Sequence, residues 1–138
     1  MSQSIEAKVA KFMSDHNIKD AARIIFRLED KDGDGVYSSG YVTLANDPHG
    51  LGGGKYHGHR PSPRIDGLKN FNYGHCFGFG DANQVRNWFN RSQRKALREV
   101  GCDVYVYETR APKTGVKRGN KQVVFDKEKA SKLGKIIL

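Results

Sequence analysis

The spacing of apolar side chains predicts an N-terminal helix and a central pair of helices. In residues 3–16, apolar positions fall at i, i+4, i+7 and i+8, which is typical of an amphipathic helix. The same kind of spacing recurs in residues 82–100. Asp81 offers a capping oxygen where this second stretch begins, with Gln84 three residues later as in a capping box, and Gly101 follows its end.

Alternation of apolar and polar side chains predicts the strands. Residues 24–29 alternate and are rich in β-branched side chains, which favours a strand, although a helix that runs into the following acidic segment is the alternative. Residues 77–79 favour a short strand or a tight bend. A short helix is expected over 126–133, ended by Gly134, before a small edge strand. Further strands are predicted at Val36–Ala45, Asp103–Thr109 and Lys121–Phe125.

The order of these elements predicts an α+β fold. We expect a single domain over residues 1–138, built on a mixed or antiparallel sheet with the N-terminal helix and the central helix pair. Residues 46–67 contain three prolines, six glycines and three histidines, so they are predicted to form a long loop. The sequence shows no apolar stretch of membrane-spanning length and no secretory signal, which predicts a cytoplasmic protein without a membrane partner.

Positive charge is concentrated in the C-terminal segment and in the second central helix. Residues 110–138 carry nine basic and two acidic side chains, which accounts for +7 of the net charge of +9. Such asymmetry is typical of a surface for nucleic acid or a nucleoprotein, and a solvated lysine-rich surface is the alternative. No helix-turn-helix, RRM or KH signature is present, so sequence-tolerant phosphate contacts are expected. The candidate nucleic-acid-binding residues are Arg91, Arg94, Lys95, Arg98, Arg110, Lys113, Lys117 and Arg118.

Several side chains have the chemistry of an enzyme or metal site but lack the spacing. Histidines of the 46–67 loop could line a cleft with Arg27, but no nucleophile–base pair or phosphate-binding loop motif accompanies them. The histidine and cysteine spacing matches no zinc knuckle, so no metal and no cofactor are predicted, and catalytic residues stay unassigned. The candidate cleft residues are Arg27, His57, His59, His75 and Gln122.

The acidic segment after residue 29 resembles half of a calcium-binding loop. Asp30, Asp32 and Asp34 occupy positions 1, 3 and 5 of an EF-hand, and Gly35 occupies position 6. Position 12 is Tyr41 instead of the bidentate glutamate, so we interpret the segment as a polar hairpin turn and expect no specific calcium binding. The two cysteines of the chain are expected to be free thiols.

Short motifs across residues 23–130 resemble small phage accessory proteins. The block CFGFGDANQVRNWF, the strand that holds Arg27 and Glu29, the GDGVY turn at Gly33–Tyr37 and the Arg60–Pro63 loop carry this resemblance. It implies a phage protein and no particular activity. A second resemblance, to ADP-ribosyltransferase domains, rests on Arg27 and Gln122, which occupy places like those of the arginine that holds NAD phosphates and of the catalytic Glu or Gln in that family.

These observations leave three hypotheses of different classes. The leading one is a non-enzymatic phage accessory protein that binds nucleic acid or a nucleoprotein through a cationic face. The second is an ADP-ribosyltransferase-like or other enzyme whose site is the His- and Gly-rich loop facing Arg27. The third is a protein-binding inhibitor of a host system.

Overall fold

A computed structural model describes residues 4–33, 35, 75–109, 116–118 and 122–138. The described helices are α1 (Ile5–Asp15), α2 (Ala82–Trp88) and α3 (Arg91–Glu99). The described strands are β1 (Ile24–Glu29), β2 (His75–Gly78), β3 (Asp103–Thr109), β4 (Val116–Arg118), β5 (Val123–Asp126) and β6 (Ala130–Ile136). The predicted strand over 36–45 and the predicted loop over 46–67 lie outside the described residues.

The strands form two antiparallel sheets. One sheet has the order β1-β3-β6 and the other β2-β5-β4. They meet where Phe26 of β1 and Phe79, just after β2, exchange two backbone hydrogen bonds of 2.7 Å. The predicted α+β fold is confirmed, with antiparallel rather than mixed sheets in the described residues.

The alternation of β1 separates two environments. Ile24, Phe26 and Leu28 point into the larger core, which also holds Trp88 of α2 and Leu97 of α3. Successive strand residues point to opposite faces. The intervening residues of β1 therefore face away from the helices, toward a smaller core of Ile25, Tyr107, Val123, Phe125 and Ala130. As a result, the helices and the Arg27–Glu29 end of β1 lie on opposite faces of the first sheet.

The predicted helix pair is confirmed, but the capping box lies at the start of the second helix and not at the start of the first. Asp81 caps α2 by accepting a hydrogen bond from the Asn83 amide at 2.7 Å. The capping box is formed by Asn90 and Gln93, whose side chains accept from each other's backbone amides at 2.9 and 2.8 Å. This capping box starts α3 as a new helix, separate from α2. Gly101 follows α3 with φ of 95°, as the sequence predicted.

The helix predicted over 126–133 is wrong. Lys127–Lys129 form a single 3-10 turn, and residues from Ala130 onward pair with β3 as the edge strand β6. Pairing with β3 buries Ala130 and Ile136, and this long-range contact outweighs the helical propensity of the lysine-rich segment. Gly134 lies inside β6, opposite Val106, and does not end a helix. The sequence patterns also predicted no strand between Thr109 and Lys121, where the structure has β4.

The longest helix among the described residues, α1, has 11 residues, and none of the described helices could span a bilayer. Both cysteines are free, as predicted. Cys102 is fully buried, and burial followed by the nearby carboxylates of Asp30 and Asp103 raises its pKa from 9.0 to about 11. This thiol is therefore a core residue rather than a nucleophile.

Gly78→Ala is expected to destabilise the junction between the two sheets. A Cβ at this position would lie 2.7 Å from both the Ile25 Cγ2 methyl and the Phe26 carbonyl oxygen. Because one of these atoms belongs to the backbone, the strands must shift, and we expect the free energy of unfolding to fall by about 1–3 kcal/mol. Urea unfolding followed by tryptophan fluorescence measures it. Unchanged stability would contradict such a close approach of the sheets.

Candidate nucleic-acid interface

Helix α3 presents a row of cations to solvent. Arg91, Lys95 and Arg98 are exposed and stand at i, i+4 and i+7, so they share one face of the helix. We call these three residues the basic stripe. The opposite face of α3 packs inward through Gln93, Ala96 and Leu97. The apolar contacts of the helix thus fix the direction of the stripe.

Arg94 does not belong to the exposed face, contrary to the sequence-based expectation. Its residue is 8% exposed, and its Nη1 donates a 2.6 Å hydrogen bond to the carbonyl of Phe89, which caps the C-terminus of α2. Its Nε has no hydrogen-bond partner among the described residues. Arg94 comes directly after the buried Gln93 and three residues before the buried Leu97, so its aliphatic stem lies on the buried side of α3. Arg94 joins the two helices and offers little to an external phosphate.

The arginines around Arg94 form a cluster without a compensating acid. Burial first, and then the charges of Arg86, Arg98 and Arg91, lower the pKa of the Arg94 guanidinium. Among the described residues, the recorded salt bridges involve none of these four arginines. The first turn of α3 also lacks an acidic side chain, although negative charge there would complement the helix dipole. Helices α2 and α3 therefore carry a cluster of arginines that no recorded ion pair among the described residues neutralises.

The remaining predicted nucleic-acid residues are not brought to this surface by the described structure. Arg110 and Lys113 lie outside the described residues. Lys117 and Arg118 belong to β4, which pairs with β5 in the second sheet, and the described structure gives their backbone. Their role stays a prediction.

A second charged site lies on the opposite face of the first sheet, at the end of β1. The Glu29 side chain is fully buried, and its two carboxylate oxygens accept four polar contacts. Oε2 lies 2.9 Å from Arg27 Nε and 3.2 Å from Lys127 Nζ, and Oε1 lies 2.7 Å from Lys132 Nζ and 2.5 Å from the Tyr107 hydroxyl. We call Glu29, Arg27, Lys127 and Lys132 the charge cluster. It holds three cations and one carboxylate.

The carboxylate of Glu29 is kept ionised by its partners. Burial raises its pKa, but hydrogen bonds from Lys132 and Tyr107, the charge of Lys127 and the hydrogen bond from Arg27 outweigh burial, and the net pKa lies below 4.5. The same arrangement raises the pKa of Tyr107, through burial first and then through the hydrogen bond to Glu29. Both groups are therefore fixed in one protonation state near neutral pH.

The candidate cleft is described in part. Arg27 donates to the Phe77 carbonyl at 2.7 Å as well as to Glu29, which fixes it against β2. Gln122 is buried just before β5. His57 and His59 lie outside the described residues, and the described structure gives the backbone of His75 within β2. Their convergence with Arg27 stays a prediction.

Arg27 was recognised from the sequence, but its partners were missed. The signal within reach was the i, i+2 placement of Arg27 and Glu29 on one face of β1. Lys127 and Lys132 were assigned to a helix that does not form, so their approach to β1 was not foreseen. Within the described residues, no group of three or more His, Cys, Asp or Glu side chains is arranged to hold a metal ion.

The acidic segment after β1 forms a tight turn. The Asp30 side chain accepts from the Asp32 amide at 2.8 Å, and its carbonyl accepts from the Gly33 amide at 3.1 Å. Gly35 then pairs with Glu29 in an antiparallel bridge. This geometry agrees with the hairpin interpretation. In this turn the Gly33 carbonyl accepts a 2.8 Å hydrogen bond from Lys127 Nζ.

Comparison with known proteins places the chain among phage proteins. A family model described as the Bacteriophage T4 Y00F protein matches residues 13–138. The chain belongs to that family. No curated protein and no solved structure matches this Y00F-family chain significantly. The resemblance to phage proteins is thus confirmed at the level of the family, and the comparisons give no support to the ADP-ribosyltransferase resemblance.

Proposed function

We propose that this Y00F-family protein is a phage-encoded accessory protein of the host cytoplasm that binds nucleic acid or a nucleoprotein through the basic stripe of α3. The observation that supports the proposal most is the cluster of like charges on α2 and α3. After burial, the charges of Arg86, Arg98 and Arg91 lower the pKa of Arg94. No acid is recorded against these arginines in the described structure, so an external polyanion is favourable beside them.

The shape of the stripe suits a phosphate backbone. Arg91 and Arg98 are separated by seven residues, which corresponds to roughly 10 Å along a helix axis. A row of this length reaches two or three successive phosphates of one strand. Glu99, exposed at the end of α3, follows Lys95 by four residues and so borders the C-terminal end of the stripe, where no ion pair between the two is recorded among the described residues. Contacts of this type fix the position of the protein and carry little base specificity.

The enzyme hypothesis has less support from the geometry. The carboxylate of Glu29 pairs with Arg27 of the candidate cleft, but it is fully buried and engaged by four donors. A general base must reach the proton that it removes. Glu29 is better suited to holding cations in place.

The salt dependence of binding tests the proposal. With three phosphate contacts, one for each cation of the stripe, the logarithm of the association constant for random duplex DNA should fall with the logarithm of salt concentration with a slope of roughly −3. Fluorescence anisotropy with labelled duplex and single-stranded DNA or RNA, at salt concentrations from about 50 to 200 mM, measures the slope. Absence of binding at the lowest salt would overturn the proposal.

A further inference from the structure

The charge cluster at the end of β1 carries more positive than negative charge. Glu29 is the one carboxylate recorded against Arg27, Lys127 and Lys132 in the described residues, so the group has a formal excess of two positive charges. Ion pairs in a partly buried setting are usually balanced, because uncompensated charge is costly away from water. An anion with a charge close to −2 would balance this excess.

The cations are held in place before any ligand arrives. The buried carboxylate contacts all three, Lys127 Nζ also donates to the Gly33 carbonyl at 2.8 Å, and Lys132 Nζ lies 3.8 Å from the centre of the Tyr105 ring. Fixing long side chains in advance removes part of the entropy that binding would otherwise cost. The lysine side chains nevertheless remain 31% and 35% exposed, so their remaining N–H groups can reach a ligand from solvent.

We propose that the charge cluster binds a phosphate group, with Lys127 and Lys132 as direct donors, Arg27 as the deeper cation and Glu29 as the positioning residue. A phosphate monoester or inorganic phosphate is close to −2 above pH 7, which matches the excess charge, and its oxygens accept from ammonium groups in tetrahedral directions. The site lies on the face of the first sheet opposite the basic stripe. Phosphate binding at the charge cluster therefore does not depend on whether α3 binds nucleic acid, and the two can be tested separately.

Calorimetric titration with inorganic phosphate at pH 7.5, against sodium chloride of equal ionic strength, tests the site. We expect saturable binding of one phosphate per chain. Lys127→Met and Lys132→Met should each weaken it at least fivefold. Lys129→Met is the matched control, because it removes the same charge from an exposed side chain on the same turn, and it should leave the affinity unchanged.

A nucleoside 5′-monophosphate and the corresponding nucleoside distinguish the source of the phosphate. Binding of the monophosphate with the affinity of inorganic phosphate assigns the site to the phosphate group alone, and tighter binding assigns it to a nucleotide. Equal binding of the nucleoside, no binding of phosphate beyond the chloride control, or an equal loss in Lys129→Met would overturn the proposal. Circular dichroism confirms that each variant is folded.

Discussion

Glu29→Gln is expected to lower the free energy of unfolding by about 3–5 kcal/mol, because it leaves three cations around a neutral amide in a buried position. The substitution preserves the volume of the side chain, so packing loss contributes little. The contacts with Arg27, Lys127 and Lys132 range from 2.7 to 3.2 Å, and the carboxylate that makes them is fully buried. Urea unfolding of both proteins gives the difference in free energy.

Asp103→Asn provides the matched control for this experiment. Asp103 lies opposite Glu29 in the register of β1 and β3, and it pairs with Lys135 at 3.4 Å near the surface. Exposed pairs of this kind contribute about 0–1 kcal/mol. A loss in Glu29→Gln no larger than that in Asp103→Asn would show that the charge cluster does not stabilise the fold.

Glu29→Gln should also change how the stability of the protein depends on pH. The folded-state pKa of Glu29 is lowered, so its contribution to stability is present above the ordinary value of 4.5 and is lost as pH falls through the folded pKa. The amide that replaces the carboxyl group in Glu29→Gln does not titrate. The stability difference between wild type and Glu29→Gln should therefore be largest near neutral pH and shrink below pH 4.5. A difference that does not change with pH would contradict the assignment.

Sequence patterns predicted the parts of the fold that depend on local signals. The helix pair has caps, an apolar face and a terminating glycine within a short window, β3 alternates clearly, and the β-branched residues of β1 favoured the strand that forms over the alternative helix. Only the end of β6 was predicted as an edge strand, and its first residues were assigned to a helix, because its partner is β3 and pairing between segments distant in sequence leaves no trace in the lysine-rich residues themselves. Local composition there favoured a helix.

The candidate site was predictable to a similar extent. The basic residues of α3 were recognised, but the burial of Arg94 was not, since it depends on how α3 packs against α2. The charge cluster was recognised through Arg27 alone. Tyr107 and Glu29 are 78 residues apart, and their hydrogen bond follows from sheet pairing rather than from any motif.

Neutralising the basic stripe is expected to remove most nucleic-acid binding. In the triple variant Arg91→Gln, Lys95→Gln and Arg98→Gln, three phosphate contacts are lost. The negative slope of the logarithm of affinity against the logarithm of salt concentration should therefore become shallower by about 3. Affinity at low salt should fall on the order of 100-fold. Stability should change little, because the three side chains are exposed and form no recorded ion pair among the described residues. Arg94 is left unchanged because it is buried and bonded to the end of α2.

Anisotropy titration of this triple variant against a matched control tests the central proposal most directly. The control, Lys8→Gln, Lys11→Gln and Lys19→Gln, removes the same charge from exposed or partly exposed positions in and after α1. The basic stripe predicts that the control binds random DNA within about threefold of wild type, while the stripe variant loses both affinity and salt dependence. Equal losses in the two variants, or full binding by the stripe variant, would contradict it.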